Sequence, residues 1–428
     1  MGSPTGDWSQ YEALRQAVST AAPTVFPYYE KGWNVMAGDY LSESEATAAL
    51  SALTAAFPGL EMTVTGPTPD RVRVLTGQRL IWVYHANEAE YAFREMGPDP
   101  YLKYNGTAYR GGMIVRRFSG SDLTLINTVT LNEYLYGVLP KEMAPDWPLE
   151  ALKAQAVAAR NYAVTSMGKH RSRGFDLCAT AECQVYGGYR VESPLCRQAV
   201  DETTDRLLMY GSTVVQAFFH SNSGGRTENS ENVWQEAIPY LKGVEDTFSV
   251  GAPNTNWSRT YSKAELQQKL LASQLDVGAV RQVTVSRKSQ NDRVLELMIQ
   301  GTLGSVTLTK EQSRKVLGYN DIKSTWFDVG GGAAVRARQE SGSADLPASA
   351  AVLDGAMNLS SLSPSGQTVR TVSGTERLVQ AQGETVTFSG HGWGHGLGLS
   401  QWGAKAMAEQ GFSYDQILQY YYTGTNLQ

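Results

Sequence analysis

The chain has 428 residues, 37 Lys and Arg against 42 Asp and Glu, a formal net charge of −5, and 42% hydrophobic with 18% charged residues. That length exceeds one average domain and that apolar share supports a sizeable core, which excludes a largely disordered or low-complexity chain. The slight acidity and the lack of a Lys/Arg run exclude nucleic acid as the expected partner, and no apolar run approaches the roughly 18 residues of a membrane span.

Residues 7 to 22 read as a helix that forms a leading arm. WNVMAGDY is strand-like, SESEATAALSALTAAF is a helix capped by Ser42 or Ser44, and DRVRVLTG is a second strand. This short β-α-β unit opens on an aromatic, a small residue and a Gly. It is similar to the SPOR domain, a peptidoglycan-binding module; the alternative is a family-specific extension. Residues 1–77 form this module. The start Met1-Gly2-Ser3 reads as a vector-derived leader, so the lack of a signal or anchor there says nothing about compartment.

From residue 78 to 138 strand runs alternate with Gly-rich turns, in RLIWVYHA, NGTAYRGGMIVRRF and DLTLINTVTL. DWPLEALKAQAVAARNYAVTSMG is the clearest helix. Asp146 can cap it, Pro148 suits its first turn, and Leu149, Leu152, Ala156, Ala159 and Ala163 recur at helical spacing. A short helix follows at about Pro194 to Asp205. The hairpin LLMYGSTVVQAFFH turns at Gly211-Ser212, and its second strand is expected to deliver His220. Residues 262 to 325 combine two helices with three strands, and 330–373 is rich in Gly, Ser, Ala and Pro, as in an exposed insertion. HGWGHGLGL is a loop, QWGAKAMAEQ a helix ended by Gly411, and SYDQILQYYY a helix opened by a Ser413–Gln416 capping box. The whole is α+β, with a long helix beside a cleft and a small N-terminal β-α-β module.

Three segments carry chemistry. In LNEYLYGVLPKEMAPDWPLEALKAQAVAARNYA, Glu142 is expected on a short loop between Pro140 and Pro145. Met143 and Trp147 can desolvate its carboxyl and raise its pKa, as a general acid requires. Lys153 and Arg160, seven positions apart, share one helix side and can hold a sugar carboxylate or tune Glu142. Alone, such a glutamate is more often a solvated surface carboxylate. The second segment, HSNSGGRTENSENVW, gathers His220, Ser221, Ser223, Gly224, Gly225, Thr227 and Trp234. Vicinal glycines let a backbone approach a ligand, and the hydroxyls and imidazole offer sugar-type hydrogen bonds, although a plain Gly-rich turn looks the same. The third, GHGWGHGLGLSQWGAKAMA, contains Trp393, His395, Ser400 and Gln401. It lacks a third convincing zinc ligand, so these residues read as cleft residues and not as metal ligands.

Taken in order, the three segments resemble the signature of the SpoIID/LytB family across roughly residues 80 to 425, and residues 78–428 are read as that domain. Asn161 stands where the family usually has Thr. The resemblance implies a lytic transglycosylase that cleaves the β-1,4 bond between MurNAc and GlcNAc, with denuded strands preferred in the SpoIID branch and a 1,6-anhydroMurNAc end as product. Glu142 would be the catalytic acid, and Arg160, Tyr186 and His220 would stabilise charge or orient the sugar. Because no water attacks, one carboxylate suffices, whereas Glu228 and Glu231 come into play only for hydrolysis. LytB-type relatives imply a different role, a glycan-binding enhancer of an N-acetylmuramoyl-L-alanine amidase, and a third reading is a structural wall-binding protein. Either branch implies an extracytoplasmic location, with a membrane anchor in the full-length protein as one arrangement.

The segment HRSRGFDLCATAECQVYGGY is ambiguous. Some family members bind zinc here through Cys and His, and this chain offers His170, Cys178 and Cys183, with Glu182 where His would be a better fourth ligand. Outside the cytoplasm two near cysteines more often oxidise, so a Cys178–Cys183 disulfide is preferred over zinc, Cys196 is a free buried thiol, and no cofactor is expected.

Overall fold

The computed structural model describes residues 5–22, 24–86, 92–94, 101–117, 123–330 and 385–428, with the short strands 335–339, 342–346, 351–353, 359–361, 368–371 and 374–377. The insertion expected at 330–373 lies largely outside the described residues. The chain is mixed α+β and forms two compact units, one of Met1–Glu142 with Ser166–Glu192 and one of Met143–Thr165 with Ser193–Gln428.

The first unit opens with a helix, Trp8–Val18, capped by Asp7. It is no loose arm: Tyr11 and Val18 are fully buried, in a cluster with Val35 and Leu53. A four-stranded sheet runs in the order Trp33–Ala37, Val25–Tyr29, Arg79–His85, Arg71–Thr76. Val25–Tyr29 precedes the expected β-α-β unit and pairs antiparallel with Trp33–Ala37, while Arg79–His85 lies beyond residue 77 and pairs parallel with Val25–Tyr29. Between the hairpins runs the helix Glu43–Ala56, whose N-cap is Ser42. A three-stranded sheet of Ala92–Arg94, Gly112–Arg117 and Leu123–Thr128 follows, and then the helix Leu131–Glu142.

The second unit is organised around the helix Leu149–Thr165. Its Ala-rich sequence buries residues on every side, Ala151, Ala154, Val157, Ala158 and Ala159 among them, because neighbours approach closely all round. Those neighbours are Pro194–Asp201, Gln401–Glu409, Tyr414–Tyr421 and the strand Leu208–Tyr210. Asn161 ties the helix to the Leu208–Tyr210 hairpin: its amide donates to the carbonyls of Leu208 (2.7 Å) and Val215 (2.9 Å) and accepts from Leu208 N–H (2.9 Å). A threonine has too few polar atoms for all three bonds. A second core fills the space between a sheet of Asn256–Ser262, Thr385–His391 and Phe327–Gly330 and a meander of Val280–Lys288, Val294–Gly301 and Ser305–Thr309; Tyr261, Leu297, Ile299, Phe327 and Phe388 are buried there.

One buried carboxylate joins distant parts of this unit. Asp246, fully buried, accepts from Ser223 Oγ (2.7 Å) and Tyr421 OH (2.8 Å). Ser223 Oγ also lies 2.8 Å from Ser249 Oγ, and Ser223 N–H donates to Ser400 Oγ (3.2 Å), which is the N-cap of Gln401–Glu409. Hydrogen bonds to a charged group contribute about 1.5–3 kcal/mol each. Asp246→Ala is therefore expected to destabilise the protein by about 3 kcal/mol or more in denaturant unfolding, against near-zero change for an exposed control such as Glu236→Ala.

Candidate functional site

The expected site residues fall into both units, and each group is built locally. Glu142 is the last residue of a helix and not part of a loop. The prolines suggested a break, but Thr130 and Glu133 start the helix with a reciprocal cap: Glu133 N–H donates to Thr130 Oγ1 (3.3 Å) and Thr130 N–H donates to Glu133 Oε2 (3.0 Å). Burial of Leu135, Val138 and Leu139 then carries the helix through Pro140. The Glu142 carboxyl accepts one backbone bond, from Val185 N–H (3.3 Å). Burial pushes its pKa above the ordinary 4.5, and the Val185 bond opposes this only in part.

Tyr186 follows Val185 directly. Its hydroxyl donates to Asn127 Oδ1 (2.8 Å), its ring stacks on Tyr134 (centroids 5.4 Å apart), and it packs so closely on Gly137 that a Cβ there would overlap it. Tyr186 thus fixes the segment beside the Leu131–Glu142 helix, an anchoring role the sequence did not suggest. Gln184, buried, accepts from Tyr134 OH (3.2 Å).

Two residues upstream of Val185 stands Cys183. The ligand atoms of His170, Cys178 and Cys183 all lie within 4.8 Å of one another, and His170 Nε2 is 3.3 Å from Cys183 Sγ. The two sulfurs are separate thiols in this structure, within 4.8 Å of each other as well as of the imidazole. Burial alone would raise the Cys178 thiol, but hydrogen bonds from Thr180, Cys183 and His170 outweigh it and bring the pKa down to about 7. Two thiols and one imidazole at these separations are the donor set a tetrahedral zinc ion takes, so the residues fit that ion. Cys196 is a free, fully buried thiol.

In the second unit Arg160 is fully buried. Its guanidinium donates to the carbonyl of Val200 (3.2 Å), the carbonyl of Arg206 (3.4 Å) and Thr203 Oγ1 (3.4 Å), closing the C-terminal end of Pro194–Asp201. Burial lowers its pKa to about 10, with Asp205 opposing, so it remains charged at neutral pH. Lys153 pairs instead with Glu150 (2.8 Å) and Glu202 (2.6 Å).

His220 does not come from the second strand of the Leu208–Tyr210 hairpin, which is only Thr213–Val214. It lies on Phe219–His220, a two-residue strand paired parallel with Leu399–Ser400, so the second and third sequence segments meet rung for rung. Asn222 and Trp393 bridge next to it. Here Gly224 (φ 82°) and Gly392 (φ 76°) cross: a Cβ on Gly224 would come within 2.6 Å of Gly392 N, and one on Gly392 within 2.6 Å of the Ser223 carbonyl. These glycines serve a backbone crossing, which explains them without a ligand. Gly225 faces more open space, near Val250 and Trp326.

The His220 and His395 rings lie 5.5 Å apart, with Phe218 and Trp234 flanking His395. Leu397 links them, its N–H donating to His395 Nδ1 (3.0 Å) and its carbonyl 3.1 Å from His220 Nδ1. Burial, then Arg314 and Arg293, holds His395 down to about 3, and burial with His395 and Arg293 holds His220 well below its usual range. Both imidazoles are neutral at working pH and act as hydrogen-bonding groups and not as cations. Thr227 is buried and accepts from Val244 N–H (2.8 Å); Gln401 Nε2 donates to Gln155 Oε1 (3.3 Å). Trp393 is half-buried, with Lys323 Nζ 4.9 Å from its ring centre. Glu228 is fully buried and accepts from Asn229 N–H (2.7 Å), Asn291 Nδ2 (2.8 Å), Asn232 Nδ2 (3.0 Å) and Ser289 Oγ, which makes it a structural acceptor. Asp246 and Tyr421 were not among the expected site residues.

These features define a mixed α+β protein whose signature segments are joined through buried polar groups, with a desolvated carboxyl at a helix end. Residues 119–210 match the family model described as stage II sporulation protein, SpoIID, and residues 249–339 match a domain of unknown function. The chain is 33% identical over 303 residues to the amidase enhancer of Bacillus subtilis (strain 168), covering 68% of this chain and 40% of that protein. It is 28% identical over 317 residues to stage II sporulation protein D of the same organism, covering 71% and 75%. An uncharacterised protein of Brachyspira hyodysenteriae is 29% identical over 324 residues, covering 76% and 73%. Residues 119–210 thus form a SpoIID-family domain, and the chain's similarity to relatives named amidase enhancer and stage II sporulation protein D extends over 68% and 71% of its length. No helix among the described residues is long and apolar enough to cross a membrane.

The raised pKa of Glu142 has a stability consequence. A carboxyl whose folded pKa lies above its ordinary value favours the fold while protonated, and that contribution is lost as pH rises through the folded pKa. Glu142→Gln, which never ionises, is expected to melt above wild type at pH 7 to 8, and the gap should close as pH falls below 4.5. Melting scans across pH measure this directly.

Proposed function

We propose that the protein is a peptidoglycan lytic transglycosylase that cleaves MurNAc–GlcNAc β-1,4 bonds in denuded glycan strands, outside the cytoplasm. The observation that carries the reading is Glu142: a carboxyl raised by burial, held by a single backbone N–H, at the end of a rigid helix. Protonated, it donates its proton to the bridging oxygen as the glycosidic bond breaks. The resulting carboxylate then takes the proton of the MurNAc C6 hydroxyl, whose oxygen bonds to C1 and closes the 1,6-anhydro ring. One carboxyl serves both transfers and ends reprotonated, so no second acid is needed. Val185 N–H steadies the anionic form between the steps, and Tyr186 with Asn127 keeps Val185 in place.

In the second unit, Trp393 and His395 retain exposure and suit stacking and neutral hydrogen bonding to sugar, beside Gly225. His220, Ser223, Gly224, Thr227, Ser400 and Gln401 shape that surface from below, and Arg160 acts through packing. A zinc ion held by His170, Cys178 and Cys183 would supply a structural clamp on the segment that carries Val185 and Tyr186.

The similarity to the amidase enhancer favours a second reading, in which the chain binds glycan and presents it to an N-acetylmuramoyl-L-alanine amidase without cutting it. Incubation of amidase-treated peptidoglycan with the protein, followed by mass spectrometry, separates the two. Anhydro-ended fragments are expected from wild type, with a drop of about 10²–10⁴-fold for Glu142→Gln, the usual range for losing an acid–base group. If wild type leaves no such ends yet still pulls down glycan and accelerates an amidase, the enhancer reading stands.

A further inference from the structure

Lys153 and Arg160, the cations expected to hold a sugar carboxylate, are both engaged elsewhere. Lys153 pairs with Glu150 and Glu202, and Arg160 is buried on backbone carbonyls and Thr203. A different cation of the second unit stands at the surface that carries Trp393. Lys323 lies outside the three signature segments, in the stretch that matches a domain of unknown function. It is half-buried, and its ammonium is 4.9 Å from the centre of the Trp393 ring.

The position of this ammonium is set at both ends of the residue. The Lys323 carbonyl accepts from the N–H of Gly394 (2.8 Å), the residue after Trp393, and Nζ donates to Asn254 Oδ1. The acid two residues upstream, Asp321, pairs with Lys269 (3.2 Å) and Arg259 (3.5 Å) instead. Among the described residues no Asp or Glu lies within ion-pair distance of Lys323. An ammonium has three N–H donors. One goes to Asn254, and the indole offsets part of the charge by cation–π attraction. What remains is a positive charge without a counter-ion, held beside a half-exposed aromatic ring.

That pairing fits a ligand with both an apolar face and a carboxylate. In a glycan strand of peptidoglycan the carboxyl group is the lactyl group of MurNAc. While a stem peptide is attached, this carboxyl is bound up as a neutral amide. Hydrolysis of that amide releases the peptide and leaves an anion at neutral pH. A fixed ammonium therefore meets its counter-ion only in a stripped strand.

We propose that Lys323 is a specificity-determining residue that binds the lactyl carboxylate of MurNAc, so that denuded strands are recognised by charge. This rests on the glycan reading above and applies to both of its forms, cutting and presenting.

The test uses the full chain carrying Glu142→Gln, so that strands stay intact, and soluble amidase-treated glycan as the probe. A second batch of the same glycan has its lactyl carboxylates coupled to methylamine, which restores a neutral amide at the same place. Affinities for both are measured by calorimetry at low and high salt. With Lys323 present, native denuded strands should bind on the order of tenfold more tightly than amidated ones, the factor a charge-assisted hydrogen bond contributes. The gap should narrow as salt rises. Lys323→Gln should close the gap by weakening binding to native strands alone, and Lys323→Arg should keep it. The comparison of the two glycans on protein that retains Lys323 does not depend on how a variant folds, and melting scans check the variants. Equal affinity for the two glycans would overturn the assignment, as would a full preference retained in folded Lys323→Gln. Equal weakening on both glycans in Lys323→Gln would mark a packing role and overturn it too. Binding without preference removes the role of Lys323 alone, whereas no binding to either glycan removes the glycan reading with it.

Discussion

The second unit depends on a carboxylate that never meets solvent. Asp246 collects a serine from the Gly-rich segment and a tyrosine from the last helix, and the same serine contacts the cap of the helix after the histidine-rich loop. Removing a charge from water is costly unless hydrogen bonds replace its hydration. Here each replacement comes from a different stretch of chain, so the carboxylate is satisfied only when all of them are in place. Segments separated by nearly two hundred residues are in this way held to one arrangement. Gly403, whose missing side chain leaves room for Asp246 and Tyr421, completes the fit.

The same logic separates the residues that shape a surface from those that face it. Arg160, Thr227, Glu228 and Ser400 are polar, and all are turned inward onto backbone or other side chains. Such inward polar groups give a loop-rich region one conformation, which apolar packing alone would leave degenerate. The few residues that stay partly exposed, Trp393 and His395 among them, are then presented by a rigid base. Glu142 is treated in the opposite way: it is desolvated with one hydrogen-bond donor among the described residues, which pushes its pKa above the ordinary carboxyl value.

Much of this was legible in the sequence, and the gaps have physical causes. Helices with strong period and caps, such as Lys263–Ala272 and Tyr414–Tyr421, were visible because local chemistry decides them. The Leu131–Glu142 helix was hidden by Pro140; its start signal, Thr130 followed three residues later by Glu133, was there to be found, but tertiary burial decides the rest. The pairing of Phe219–His220 with Leu399–Ser400 is only two residues long and joins distant segments, so no local pattern announces it. Motif content named the candidate residues, yet could not say which polar residues point inward, because that depends on partners such as Asp246, Asn127 and Leu397 brought in from elsewhere. The convergence of His170, Cys178 and Cys183 was likewise readable as a set but not as a geometry.

The strands Phe327–Gly330 and Thr385–His391 are adjacent rungs of one antiparallel ladder, with Gly330 opposite Thr387. The stretch from 331 to 384 therefore leaves and re-enters the fold through neighbouring points already held together by main-chain bonds. Closing a loop between fixed neighbours costs little more as it lengthens. A change in the length of that stretch would therefore act at one edge of the second unit and leave the pairing of Phe327–Gly330 with Thr385–His391 in place.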